Sequence, residues 1–117
     1  MSKKDRRQYE YQKAIESYES DNYPDAAIHL KSYFDLFGIF TSDTPEKVAF
    51  FMRGVLLVEG EYSRYASEKI RLLSAKSDFQ QCIYDSGLEP QAKKNISIID
   101  DTLQRIEKQE QREEALK

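Results

Sequence analysis

The chain contains one histidine, His29, and one cysteine, Cys82. The side chains most often recruited as base, nucleophile or zinc ligand are therefore each present singly. A zinc site groups several such ligands at short spacings, and His29 has neither a Cys nor a second His at ligand distance in the sequence. The adjacent carboxylates Asp100-Asp101 and Glu113-Glu114 fall in helical stretches, where neighbours point roughly 100° apart and cannot share one cation. Four well-separated glycines make no phosphate-cradling loop. These residues predict no enzyme, no metal and no cofactor. The eight tyrosines (Tyr9, Tyr11, Tyr18, Tyr23, Tyr33, Tyr62, Tyr65 and Tyr84) are the remaining conspicuous chemistry. A rigid ring with a polar tip suits a recognition surface, but it also fills corners between helices, and at least half of these rings are expected to be structural.

The elements that would carry such side chains are marked by punctuation. Asp21-Asn22-Tyr23-Pro24 reads as a turn entering a helix, because proline is tolerated where the first-turn N–H groups lack partners anyway. Gly38, Gly60 and Gly87 read as stops, Thr44-Pro45-Glu46 as an N-cap with Pro at the first helical position, and Pro90 as another start. Between these marks the apolar residues recur at helical spacing. The pattern predicts an all-α chain of five helices: antiparallel pairs followed by a C-terminal helix. Tyr11, Ala14, Ile15 and Tyr18 stripe the first helix, over about 4–20. Ala27, Leu30, Phe34 and Phe37 stripe the second, over about 24–37. The third, about 45–59, is apolar nearly all round except for Arg53, so it is either central or lines a binding surface. A fourth begins near Tyr62 and either runs on to about 85 or restarts at Ser77. The fifth, from Pro90, carries Ala92, Ile96, Ile99, Leu103 and Ile106 in a four-three alternation like one coiled-coil seam.

At 117 residues the chain is long enough for one core, and residues 1–107 read as a single domain. Residues 108–117 are almost all charged or Gln and read as a tail, frayed or disordered. The first Met suggests a whole chain. Charged residues make up 33% and apolar residues 39%, with a net charge of −3, a balance that fits helices with wet outer faces. Nucleic-acid binding is not expected, because Lys and Arg are interleaved with Asp and Glu. The one basic cluster, Lys3, Lys4, Arg6 and Arg7, reads as a solvated first turn. Lone Cys82 excludes an intrachain disulfide, and its apolar neighbours Phe79 and Ile83 suggest a buried thiol. No apolar run reaches membrane-spanning length and no signal-type segment opens the chain, so a cytoplasmic location is the expectation.

Tyr23-x-x-x-Ala27 recurs as Tyr62-x-x-x-Ala66 at an offset of 39, which also pairs Tyr11 with Phe50 and Tyr18 with Leu57. With Asp21-Asn22-Tyr23 and Gly60-Glu61-Tyr62 as the two intra-pair turns, the chain resembles the tetratricopeptide repeat family over about residues 8–75. The resemblance implies about two repeats, over 8–37 and 45–75. The offset exceeds the family's usual ~34, with 39–44 able to absorb the excess as a longer loop, and neither pair ends in the expected Pro. A plain four- or five-helix bundle is the alternative.

The family builds its concave, partner-binding surface largely from the first helix of each pair. The resemblance therefore implies a protein-binding module (adaptor, chaperone-like or scaffold) that contacts a partner segment through Tyr9, Gln12, Glu16 and Glu19 of the first helix. Val48, Phe51, Val55 and Val58 of the third would complete the surface. This last set lies opposite the Phe50-Gly54-Leu57 face and would be an open apolar patch unless the fifth helix folds back over it. The competing reading is structural: a homodimer through the C-terminal helix, or a subunit of a larger, even nucleoprotein, assembly with no separate groove.

Overall fold

The computed structural model describes residues 2–38 and 41–117. Among these residues it has five helices and no strand: α1 Lys3–Glu19, α2 Tyr23–Asp35, α3 Lys47–Glu59, α4 Glu68–Gln80 and α5 Glu89–Ala115. Ile39 and Phe40, within the expected longer loop, lie outside the described residues, as does Met1.

Most starts have a local cause. The Ser2 hydroxyl accepts from the Asp5 N–H (3.1 Å) and the Asn22 side chain from that of Asp25 (3.4 Å), so each satisfies a first-turn donor. Pro24 and Pro90 occupy the first turns of α2 and α5, where no N–H is missed. The Thr44-Pro45 signal is misplaced: α3 begins after Glu46, not at Pro45. The Glu46 N–H donates to the Tyr33 hydroxyl (2.9 Å), and that residue is extended at ψ 141° and stands as the N-cap. α4 also begins later than expected. Its N-cap is Ser67, whose hydroxyl accepts from the Ile70 N–H (3.2 Å), and Tyr62 and Ala66 lie in the connection before it. The helix then runs unbroken through Ser77 to Gln80, while Cys82 and Ile83 fall in the turns that follow. α5 continues through the charged stretch 108–117 as far as Ala115, exposed along that whole length.

Two helix pairs result. Glu10 meets His29, Tyr18 meets Tyr23 and Tyr11 meets Tyr33, so α1 and α2 run antiparallel. Arg53 meets Asp78 and Leu57 meets Arg71, so α3 and α4 do likewise. The first pair turns within Ser20–Asn22, with Asp21 at φ 58°, whereas the second needs Gly60–Ser67. The Tyr23/Tyr62 repeat therefore does not extend to equivalent positions: Tyr23 opens α2, and Tyr62 sits in a connector.

The core forms two clusters, one on each side of α3. Ala49, Met52 and Leu56 join Ala14, Ala26, Leu30 and Tyr33 on one side. Leu57 joins Leu72, Ala75, Phe79, Cys82, Ala92 and Ile99 on the other. A helix covered from two directions needs apolar residues around most of its circumference, which accounts for the composition of α3. The α5 seam closes onto α4: Ala92 and Ile99 are buried there, and the exposed ion pairs Lys69–Glu110 (3.2 Å) and Lys76–Asp100 (2.7 Å) show that the two helices run antiparallel. At ~1.5 Å per residue the length of α5 explains the elongated outline of 57 × 33 × 30 Å.

Candidate binding surface

α1 and α3 point the same way, and α2 makes the larger contact with α3. Arg7 near the start of α1 pairs with Asp43, just ahead of α3 (2.8 Å). Glu46 sits near enough to Tyr11 to contribute to raising its pKa, after the larger effect of burial. Near the other end, Tyr18 is pushed up by burial first, then by Tyr23, Glu59 and Asp21. Ala14 of α1 shares a cluster with Ala49, Met52 and Leu56 of α3.

The eight residues expected to contact a partner form one stripe on each of these helices, spaced i, i+3, i+7, i+10. On α1, Tyr9 is 48% exposed, and Gln12, Glu16 and Glu19 are exposed, all turned away from buried Ala14. Lys13 pairs with Glu16 (3.4 Å) and reaches over the Tyr9 ring (5.7 Å to its centre). On α3 the ends of the stripe are open, with Val48 39% and Val58 41% exposed. Its middle is not. Phe51 sits edge-on to Phe79 (5.3 Å between centres), and both Phe51 and Val55 pack against the second cluster. The patch is therefore half-covered, because α3 must serve α4 and α5 with the same residues that the sequence pattern left without a partner.

Two cavities lie elsewhere. One, of about 320 Å³, is lined by Arg53, Leu57, Tyr62, Ser63, Ser74, Ser77 and Asp78. Another, of about 400 Å³, lies between the start of α1, the end of α2 and the segment ahead of α3 and includes Arg7, Tyr11, Tyr33 and Asp43. Neither is lined by any of the eight.

The first cavity contains the one strongly polar cluster that spacing did not reveal. The Arg53 guanidinium donates through Nε (2.9 Å) and Nη2 (2.8 Å) to the two carboxylate oxygens of Asp78, and lies over the Phe34 ring at 3.7 Å. A fork-on-fork pair of this kind is strong and directional. Burial pushes the Asp78 carboxyl up, with Arg53 pulling it back. Burial also works against the Arg53 charge, but hydrogen bonds and Coulombic attraction from Asp78 leave it above its ordinary value. The neighbouring Tyr62 phenol is pushed up by burial, against the pull of Arg53. The cluster ties α2, α3 and α4 together. Its only trace in the sequence is a lone Arg in an apolar helix, which must find an acid somewhere.

The titratable side chains considered for chemistry have structural surroundings. His29 Nδ1 is 2.8 Å from the nearly buried Glu10 carboxylate, joining α1 to α2. Cys82 is fully buried, with its thiol directed at the Lys47 carbonyl (3.4 Å) and pushed up to about 11, chiefly by burial. Among the described residues no three His, Cys, Asp or Glu are grouped to hold a metal ion. Nor, among them, is any helix long and apolar enough to cross a membrane.

Carboxylates follow closely at the C-terminal ends of both α1 and α3. Glu16 and Glu19 close α1, Asp21 follows, and Glu59 and Glu61 flank the end of α3. Neither helix has a basic residue in its last turn. Carboxylates there oppose the helix dipole, by ~0.3–1 kcal/mol each at most in exposed positions.

Comparison with known proteins returned no matching family model, no matching curated protein and no matching solved structure.

Proposed function

We propose that this chain is a cytoplasmic, non-enzymatic protein-binding module of tetratricopeptide-like design, which presents the α1–α3 face to a segment of another protein. The observation that carries this reading is that α1 and α3 point the same way and that each leaves part of its stripe accessible. Tyr9, Gln12, Glu16 and Glu19 offer one wall, and Val48 and Val58 offer apolar ground that the fold leaves partly open. Apolar residues retained at a solvent boundary, next to polar ones, are the usual composition of a recognition surface. The homodimer through α5 has less to recommend it, since its seam is already spent on α4.

The test is affinity capture from host extract with the wild-type chain and with Val48→Asp/Val58→Asp. Both positions are exposed enough for the double variant to keep its helical circular dichroism and its melting temperature within a few degrees. Loss of a stoichiometric partner with the fold intact supports the reading. Equal capture by both proteins, or a clean homodimer in light scattering that the variant does not disturb, defeats it.

A further inference from the structure

The cavity of about 320 Å³ between α3, α4 and the connector that joins them is bounded by groups that are polar, held in place and balanced in charge. We propose that it binds one small neutral molecule rich in hydroxyl groups, a sugar or polyol, through the Arg53–Asp78 pair and the hydroxyls of Ser63, Ser74 and Ser77. None of the eight residues of the α1–α3 face lines it, so the site stands or falls independently of the docking reading above. Size is the first filter. Small-molecule sites span ~300–1,000 Å³, so this volume takes one compact ligand and not a peptide segment. Polarity is the second. An apolar occupant would strip water from the ion pair and the hydroxyls and return no hydrogen bond to them.

Charge is the third. Arg53 and Asp78 cancel at the wall itself. Beyond them, Arg71 bonds the carbonyl of the lining residue Leu57 (2.8 Å), Asp35 acts on Tyr62, and Glu61 and Arg64 flank Tyr62 and Ser63 in the connector. Arginine and carboxylate are thus matched one for one around the site. A cation would compete with Arg53 for Asp78, and an anion with Asp78 for Arg53, each against a two-point ion pair already made. A neutral ligand displaces neither. What the wall offers it is a donor beside an acceptor. The guanidinium gives Nε and Nη2 to Asp78 (2.9 and 2.8 Å) and keeps further N–H groups, while each Asp78 oxygen accepts one bond and keeps a lone pair. Neighbouring hydroxyls on one molecule, each both donor and acceptor, match that alternation. Ser74 and Ser77 stand one turn apart on α4, and the Tyr62 ring offers a surface for the C–H face of the ligand. Asp78 is 4% exposed and Arg53 lies on the Phe34 ring (3.7 Å), so both are positioned in advance and little side-chain freedom is lost on binding.

The experiment follows amide NMR shifts of the full chain, labelled with nitrogen-15, during titration with glucose, galactose, mannose, myo-inositol and glycerol. Phosphate and tetramethylammonium chloride serve as the charged controls. The proteins are the wild type and Ser74→Ala/Ser77→Ala. Both substitutions fall at exposed helical positions where alanine is favoured, so the fold and the ion pair persist. At least one of the neutral compounds is expected to give saturable shifts at the amides of Ser63, Ser74 and Ser77. The variant is expected to bind it at least about fivefold more weakly, having lost two hydroxyl partners. Four results overturn the proposal: no shift at these amides with any neutral compound, shifts that grow without saturating, saturation by phosphate or tetramethylammonium instead, or equal binding by the variant.

Discussion

The two helix pairs satisfy one hydrophobic periodicity in different ways. Between α1 and α2 the contact is made of rings: Tyr11 against Tyr33 and Tyr18 against Tyr23, each with centres 5.4 Å apart, closed by a turn confined to Ser20–Asn22. Between α3 and α4 it is made of a glycine and an ion pair. The Phe79 ring comes so near Gly54 that an added Cβ would sit 2.8 Å from Cζ, and Arg53 reaches across to Asp78. Helix separation follows the bulk at the contact, so rings suit a wider spacing and glycine permits a closer one. The second pair is joined by the longer connector Gly60–Ser67, with Gly60 left-handed at φ 82° and the Arg71 guanidinium capping the end of α3. The first pair keeps its outward side wet and free, whereas the second gives much of its surface to α5. This difference places the open, charged half of the candidate binding face on α1 and the partly covered half on α3.

Three perturbations sharpen the contrast, and the largest effect is expected at the ion pair. Asp78→Ala leaves the Arg53 guanidinium half-buried without its acid, at a cost of about 3 kcal/mol and visible as a lower urea midpoint. Arg53→Met/Asp78→Leu should recover most of the loss. If Asp78→Ala proves neutral, the second pair is held by its apolar contacts alone. Next is Gly54→Ala. The methyl gains helix propensity but must displace a Phe79 ring that is itself buried, for a net loss of about 1–2 kcal/mol. Gly54→Ala/Phe79→Leu should cost less than the sum of its parts, and strict additivity in a double-mutant cycle would show that the close approach does not matter.

The smallest effect is that of alkali. The Cys82 thiol is raised from 9 to about 11 in the folded chain, so the unfolded state ionises first. Its contribution is fully present below pH 9 and is lost as pH rises toward 11, by about 1 kcal/mol between pH 8 and pH 10. Tyr11, Tyr18, Tyr33 and Tyr62, also raised by burial, push in the same direction above pH 10. Urea melts at pH 8 and pH 10 on wild type and Cys82→Ala separate the two contributions. Equal loss in both proteins would assign the effect to the phenols.

Much of the fold is legible along the chain, and the reasons are local. Asn22 with Pro24, Gly60 and Pro90 mark ends because capping, positive φ and the missing N–H act within one turn of backbone. Thr44-Pro45 misleads because a remote hydroxyl, that of Tyr33, captures the next N–H. Ser67 is overlooked as the start of α4 because the matching Tyr62 and Ala66 suggest an earlier one. Of the candidate face, the α1 stripe is placed as expected, on the open side of its helix. The α3 stripe is only half so, since periodicity shows that Phe51 and Val55 are apolar without showing that α4 and α5 will use them.

The sequence by itself determined the helical class, the number of helices and most of the stripe each presents. These follow from short-range rules: backbone propensity, capping, and the recurrence of apolar residues every three or four positions. Only the tertiary structure decided which stripe meets which. It placed α3 between two clusters, closed the α5 seam on α4 and brought Arg53 to Asp78 across α3 and α4. Burial of apolar surface has no direction of its own. A stripe therefore records that a helix must be covered, and only the packing of the whole chain selects what covers it.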